Sequence, residues 1–482
     1  MSQPAVAPAL AYIESHVSAF RASLEALVRI PSVSAEGFPP AEVRRSAEAM
    51  AATLRTTGLE NVRLLELPKT HPYVYGDWLH APGAPTVLVY GHHDVQPPGR
   101  AERWMSPPFE PVERNGRLYG RGTVDDKGGV MVYVAAVESY IRTSGRLPLN
   151  VKFLIEGEEE IGSPSLEPFL KRHRRRLGAD VVVLSDGGNF DTGHPALTYQ
   201  LRGICQVDVE VRCLRQPVHS GMWGGPVPDP VQILARLVAD LEGKDGALNV
   251  PGLYRSVARA GPRQLRRIRS LPFDATRFRR AATMKPGTRF VGERGYSVYE
   301  RLWTRPALAV IALEAQRIQG SSNQILDSAR ARLSMRTVPG MDGWAAGRLL
   351  ARKLTVNPPA GARVTARVTM AAPWWTTDPE GPAFDAARRA LGLGFGRPPA
   401  MIGAGGSIGF VRPFAEALGG APCLIVGVED PPAAIHSENE SVSLEDWRKS
   451  IRAAAHLYDE LARAPVRGRG TSRPARHSRQ RR

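Results

Sequence analysis

The sequence predicts an α/β fold in which a mixed, largely parallel sheet is flanked by helices and interrupted by an α+β domain of ferredoxin-like order. Three observations predict it. Four short apolar runs recur: PTVLVYG (Pro85 to Gly91), VKFLI (Val151 to Ile155), VVVL (Val181 to Leu184) and CLIVG (Cys423 to Gly427). They lack helical periodicity and suit strands buried on both faces. Each is followed by polar residues of metal-binding type, three of the four within a few positions. Between about Leu201 and Met370 the pattern changes to the order β-α-β-β-α-β.

In chain order, Ile13, Val17, Phe20, Leu24 and Leu27 recur at spacings of four and three, one face of an amphipathic helix over 8–30 that Pro31 stops. PTVLVYG then delivers His92, His93 and Asp94 at its end. A loop rich in Pro and Gly leads to RGTVDDKGG, and VMVYVAAVESYI has helical length, so Asp125 and Asp126 sit just before a helix N-terminus. VKFLI delivers the acidic stretch EGEEEIGS (Glu156 to Ser163), and VVVL delivers Ser185 and Asp186. In the inserted region GICQVDVEV alternates, PDPVQILARLVADL is helical, ALAVIAL and ARLSMRTV read as strands, GWAAGRLLARKL is helical and RVTARVTM alternates again. PAFDAARRALGLGF returns the chain to the first sheet, and CLIVG precedes the loop that carries His436. The expected domains are a discontinuous one from 1–200 and 371–464, an inserted one over 201–370, and a basic tail over 465–482. Ligands gather at the carboxyl ends of strands in open α/β sheets, so residues spread over the chain can meet in one crevice.

A chain of 482 residues with 43% hydrophobic and 23% charged residues has the composition of a globular protein of two to three domains. No run of eighteen apolar residues is present, and the first sixteen residues lack the pattern of a signal peptide. A cytoplasmic protein with no membrane partner is expected. Cys205, Cys213 and Cys423 are odd in number and widely spaced, which fits buried thiols better than a disulfide framework or a CxxC site. Of the net charge of +17, seven arginines in the last seventeen residues account for seven, and that apolar-poor tail is expected to be disordered. The remainder includes a cluster between Arg255 and Arg280 with few aromatics interleaved. It reads first as a solvated basic face and second as a surface for acidic substrates or partners, and nucleic acid is not the expected partner.

EGEEEIGS is the stretch that demands explanation, because carboxylates crowded at the end of a buried strand repel one another unless a cation neutralises them. His92 and Asp94 are two apart and can face one side, with the imidazole on a metal and Asp94 on the other ring nitrogen. His93 points away and is expected to be structural. Asp125 can bridge two cations where glycines let the backbone turn, Asp126 is expected to cap the following helix, and Lys127 to pair locally with an acid. Adjacent Glu159 and Glu160 suit two jobs, one ligating and the other accepting a proton, with Glu158 solvated or structural. Asp186 and His436 complete a set of two imidazoles, two aspartates and one glutamate. That donor set fits zinc, with manganese or cobalt as alternatives. Five ligands exceed one tetrahedral site and fit two ions about 3.5–4 Å apart that share Asp125.

The motifs GHHDVQP, GRGTVDDKGG, EGEEEIGS, LSDGG, PVHSGMWGG and AIHSENE, in this order and over nearly the whole chain, resemble the dinuclear metallopeptidase and amidohydrolase family. That family includes carnosinase-type dipeptidases, glutamate carboxypeptidase, aminoacylase and succinyl-diaminopimelate desuccinylase. The resemblance implies His92, Asp125 and Asp186 on one metal, Asp125, Glu160 and His436 on the other, Glu159 as general base and Asp94 as the orienting partner of His92. It further implies that the inserted domain is a lid through which the chain forms a homodimer. His219 in PVHSGMWGG matches an oxyanion-stabilising histidine that reaches across the dimer, although from sequence alone a surface-loop histidine is the favoured reading. Arg336 matches an arginine that holds a substrate carboxylate, and Ser407 lies in the Gly-Gly-Ser loop that meets the same end. GERGYSVYERLW is most similar to the dipeptidase branch. Gly403, Ala404 and Gly409 stand where that branch has Arg, Glu and Pro, while Asn323 and Leu326 stand where it has Thr and Pro. Asn323, counted with the substrate-binding positions, looks more like the deacylase branch. The expected activity is hydrolysis of the amide of a small carboxylate-bearing substrate, a dipeptide first and an N-acyl amino acid second. A non-catalytic protein that binds an acidic partner through its basic surface is the third reading.

Overall fold

The four apolar runs are short because each crosses the sheet once and is covered on both faces. The computed structural model describes residues 5–465; the tail read over 465–482 lies, from 466 onward, outside the described residues. Strand Thr86–His92 runs parallel to Asn150–Glu156 on one side and Val181–Leu184 on the other, and Val181–Leu184 runs parallel to Cys423–Ile425. Glu60–Leu65 and Tyr73–Trp78 extend the sheet antiparallel beyond Asn150–Glu156. The register pairs His92 with Glu156 and Leu184 with both Tyr90 and Ile425, so the parallel strands finish along one line. Every residue that follows them is thereby delivered to the same edge.

Helices Val6–Val28, Lys127–Ser144, Pro382–Phe395 and Leu444–Arg463 pack together against this sheet. Lys127–Ser144 is buried on nearly every side, which is why its sequence is apolar all round instead of striped. Trp447, fully buried, donates its ring N–H to the Gly128 carbonyl at 2.9 Å and locks the last helix to the start of this one.

The chain divides into two compact units. The first comprises Met1–Leu197, Glu380–Pro399 and Phe414–Arg482, and the second Thr198–Pro379 with Ala400–Pro413. In the second, strands Gly203–Arg212, Ala307–Glu314, Ser328–Thr337 and Arg363–Ala372 form an antiparallel sheet. Ser328–Thr337 and Gly203–Arg212 are central, with Ala307–Glu314 and Arg363–Ala372 at the edges. With helices Pro230–Ala239 and Gly343–Thr355 this is the expected β-α-β-β-α-β order. Strict alternation in GICQVDVEV puts Cys205, Val207, Val209 and Val211 on the buried face. The opposite face carries ion pairs such as Arg332 with Asp208 at 2.6 Å and Arg330 with Glu210 at 3.0 Å. The basic cluster lies on helices Pro262–Ser270 and Ala275–Ala281, where Arg263, Arg266 and Arg280 are exposed.

Two glycines bring the last strands' loops into register at the sheet edge. A Cβ on Gly427 would overlap the carbonyl oxygen of Gly187, and the neighbouring backbone bonds from Asn189 N to Glu429 O at 2.6 Å and from Glu429 N to Gly187 O at 3.4 Å depend on that approach. Gly427→Ala should therefore destabilise the protein by about 1–3 kcal/mol through overpacking against backbone that cannot move aside. Gly178→Ala, whose added carbon would meet its nearest atoms at 3.7 Å, should leave stability nearly unchanged. Denaturant unfolding of the two variants checks this, and equal midpoints would contradict it.

Candidate metal centre

The delivered side chains converge on Asp125. Its Oδ1 lies 3.0 Å from His92 Nε2 and its Oδ2 lies 3.0 Å from His436 Nε2, so one carboxylate spans two imidazoles. His436 Nε2 is also 3.2 Å from Glu160 Oε2. Asp125, Glu160 and His436 form one set whose ligating atoms all lie within 4.8 Å of one another; His92, Glu159 and Asp186 form a second; Asp125, Asp186 and Glu429 form a third. The five expected ligands are thus brought together, with Asp125 between the two histidines.

Asp94 ties the histidine strand to the glutamate turn. Its carboxylate accepts from the Glu160 N–H at 3.1 Å, the Glu159 N–H at 3.3 Å and the Ser34 hydroxyl at 2.6 Å. His92 Nδ1 sits 3.0 Å from the Asp94 carbonyl and 3.5 Å from its carboxylate, so the ring is oriented chiefly by the main chain of Asp94. The sequence expectation of a direct carboxylate–imidazole bond is corrected to that extent. His93 turns away and bonds the Pro72 carbonyl at 2.9 Å, as a structural histidine should. Glu158 is buried and accepts from the His71 N–H at 3.0 Å, while Glu156 is held by the hydroxyls of Tyr73 and Tyr90 at 3.1 and 2.5 Å. Those two glutamates are structural, and Glu159 and Glu160 face the centre.

Two expectations fail in GTVDDKGG. Asp126 occupies the N-cap position of helix Lys127–Ser144, but its side chain caps nothing. Its Oδ2 instead accepts from the Ser185 hydroxyl at 2.6 Å and the His92 N–H at 3.3 Å, binding two strand ends to the start of that helix. Lys127 forms no ion pair among the described residues; it is buried, and its ammonium donates to the carbonyls of Leu27 and Ile30, each at 2.9 Å. It thereby closes the C-terminal end of the first helix, where exposed carbonyls carry negative partial charge. Of the glycines, Gly122 takes the positive φ of a turn at 85°, while Gly128 and Gly129 make room: a Cβ on Gly128 would strike the Thr123 carbonyl and one on Gly129 the Asp126 carboxylate.

Two acids in the centre escaped the sequence reading. Glu429 follows the strand Cys423–Ile425, and its carboxylate lies within 4.8 Å of those of Asp186 and Asp125; the signal was an acid placed like the others, just past a strand. Glu440, in AIHSENE, is fully buried against Arg121 at 2.5 Å and accepts from the N–H groups of Gly122 and Val124 at 2.9 and 3.2 Å. It moulds the backbone that presents Asp125.

Burial dominates the electrostatics. It lifts Glu159 and Glu429 well above the usual carboxylate range and raises Glu160 too, with neighbouring acids adding repulsion; Asp186 rises to about 6 from burial and the charge of Asp125. Burial opposes ionisation of Asp125 as well, but hydrogen bonds from His436 and His92 outweigh it and hold that acid low. The hydrogen bonds to Asp125 and Glu160 push His436 up to about 10. Burial works against a charged His92, yet its bonds to Asp125 and Asp94 raise it well above an ordinary imidazole. Five acids facing two imidazoles form an anionic, proton-loaded cluster, the environment that divalent cations neutralise. Mixed imidazole and carboxylate donors fit such ions.

The second unit brings together two pairs of the expected residues. Arg336 donates to the Ser407 hydroxyl at 2.7 Å. His219 is exposed, pairs in register with Gln324 and accepts from the Gly221 N–H at 3.1 Å, while the carbonyl of neighbouring Asn323 accepts from the Ser220 N–H at 2.9 Å.

Because Arg121 and Glu440 are 1% and 0% exposed, removing the acid leaves a buried guanidinium without its partner. Glu440→Ala should cost about 3–5 kcal/mol in denaturant unfolding. Glu440→Gln, which keeps acceptors for Gly122 and Val124, should cost measurably less.

The profile of peptidase family M20/M25/M40 matches residues 88–460. Human Beta-Ala-His dipeptidase is 29% identical over 487 residues, covering 96% of this chain and 94% of the relative. Cysteinylglycine-S-conjugate dipeptidase of Corynebacterium striatum is 31% identical over 361 residues, covering 74% and 77%. Among solved structures, the di-peptidase Dug1p of Saccharomyces cerevisiae superposes with a TM-score of 0.83 at 25% identity, covering 96% of this chain and 99% of that one. Human carnosine dipeptidase 1 superposes with a TM-score of 0.82 at 28% identity, covering 96% and 100%. With its histidines and acids gathered at the strand ends and the family profile running through them, the chain belongs to peptidase family M20/M25/M40.

Proposed function

We propose that this protein is a two-metal dipeptidase that hydrolyses the amide bond of small peptides bearing a free carboxylate. The observation that carries the reading is Asp125, whose two oxygens each face an imidazole at 3.0 Å within a buried cluster of acids. His92, Asp125 and Asp186 would hold one ion, and Asp125, Glu160 and His436 the other, with zinc the favoured metal and manganese or cobalt the alternatives. When bound, the ions supply Lewis acidity to the scissile carbonyl and lower the pKa of water.

The chain's own groups do the rest. Asp94 orients the His92 ring and pins the backbone of Glu159 and Glu160. Glu159 takes a proton on its carboxylate as water attacks and returns it to the leaving amine; burial raises its pKa, which makes its carboxylate the stronger base. His219 stabilises the oxyanion, and Arg336 with Ser407 holds the carboxylate, a task suited to a guanidinium fork beside a hydroxyl. Asn323 joins the substrate-binding positions.

We assign the catalytic role to residues 1–200 and 371–464 and a lid and dimerisation role to 201–370. The edge strand Ala307–Glu314 supports homodimerisation through its exposed Val310, Ile311 and Leu313. A cytoplasmic setting is supported by three free cysteines. No helix among the described residues is long and apolar enough to cross a membrane.

A panel of dipeptides, their C-terminal amides and N-acyl amino acids tests the activity. Preferred turnover of free-carboxylate dipeptides is expected, and turnover confined to N-acyl amino acids would overturn the dipeptidase reading. Glu159→Ala should retain metal yet lose about 10²–10⁴-fold in kcat, and near-wild-type kcat would remove Glu159 from the mechanism. Metal affinity should fall as pH falls, because His92 and His436, both raised, must lose protons to ligate. Titrating zinc into metal-free protein at pH 7 should release protons from the two imidazoles and from any raised carboxyl that must ionise to ligate, read from the buffer dependence of the calorimetric heat; no proton release would contradict this.

A further inference from the structure

Within the second unit, Arg202 stands beside the pair Arg336 and Ser407 without having been assigned a task. It lies between the strands Ala196–Leu201 and Gly203–Arg212 and is only 8% exposed. Its Nε donates to the Gly405 carbonyl at 2.8 Å, and its backbone N–H donates to the Gly406 carbonyl at 3.2 Å. One residue therefore holds two successive carbonyls of the Gly-Gly-Ser loop, and the next residue of that loop is Ser407, whose hydroxyl meets Arg336 at 2.7 Å. The fit is close: a Cβ on Gly405 would sit 3.1 Å from Arg202 Nη2. A larger residue there would oblige the guanidinium to shift by a few tenths of an ångström.

The two arginines are also neighbours. Arg336 pairs in register with Ile204, two positions from Arg202, close enough for the two guanidinium charges to act on each other. Burial, joined by the positive charge of Arg336, lowers Arg202 to about 10. Among the described residues no carboxylate forms an ion pair with either guanidinium. Two partly or wholly buried cations that repel each other and lack an anion are costly unless an anion arrives from outside.

We propose that Arg202 is the positioning residue of the substrate's carboxylate subsite: it clamps Gly405 and Gly406 so that Ser407 stays against Arg336, and it adds a second guanidinium's charge to the anion held there. This rests on the proposed hydrolysis of carboxylate-bearing amides. The group recognised is a carboxylate on the leaving side of the scissile amide, present in dipeptides and N-acyl amino acids alike.

The test compares wild type, Arg202→Lys, Arg202→Met and Gly405→Ala, each metal-loaded, on a dipeptide and on the same dipeptide's C-terminal amide. For Arg202→Met, KM for the free carboxylate should rise at least about tenfold, with kcat within about threefold and KM for the amide little changed. Arg202→Lys keeps the charge without the fork and should fall between, and Gly405→Ala should shift KM the same way by displacing the clamp. Arg202→Met and Ser407→Ala should combine non-additively, because both act on one loop. Equal changes with carboxylate and amide, or none, would overturn the assignment, and Arg202→Lys with Gly405→Ala carries the test if Arg202→Met fails to fold. Should the wild type hydrolyse neither dipeptides nor N-acyl amino acids, the hydrolase reading falls by itself. Arg202 is then judged by calorimetric titration with N-acetylglycine against its amide, where equal binding by wild type and Arg202→Lys would refute it.

Discussion

Mutual repulsion among buried carboxylates is the constraint on which the first unit depends. Asp125, Glu159, Glu160, Asp186 and Glu429 are gathered where water is scarce, and the basic groups that meet them there among the described residues are two imidazoles. A chain pays for such an arrangement only if something external completes it. The fold supplies the remaining order: parallel strands finish in line, glycines let the Asp186 and Glu429 loops touch, and Glu440 shapes the backbone beneath Asp125. Asp126 and Asp94, neither of them among the proposed ligands, are the struts that fix the strand ends to one another.

Much of this was legible in the sequence because its signals are local. Buried parallel strands announce themselves as uninterrupted β-branched runs, and the residues one or two places beyond them have nowhere to go but the sheet edge. The inserted domain was readable for a related reason: GICQVDVEV alternates strictly, and alternation over ten residues fixes both strand and face. What the sequence hid were choices made by tertiary contact. An Asp-Asp-Lys before a helix suggests a cap and an ion pair, yet Ser185 claims Asp126 and two carbonyls of the first helix end claim Lys127. Glu429 was passed over because a single acid after a strand is common, and only the backbone contact between Gly187 and Gly427 shows that it reaches Asp186.

The second unit works by a different economy. Its sheet satisfies its own charges on the exposed face with ladders of arginine and acid, so positive charge there is largely local. Arg202 and Arg336 differ in being sequestered beside a glycine loop with no ion-pair partner among the described residues. The two units thus carry complementary deficits, one in want of cations and the other of an anion. A metal-dependent hydrolase of carboxylate-bearing amides meets both.

The central claim is that the cluster around Asp125 holds two ions and not one. Metal content per chain, measured by mass spectrometry after saturation and removal of free metal, tests it most directly. Two ions in the wild type, and loss of more than one ion in Asp125→Ala, are the result this account requires. A single ion in the wild type, or an Asp125→Ala variant that still holds two, would contradict it.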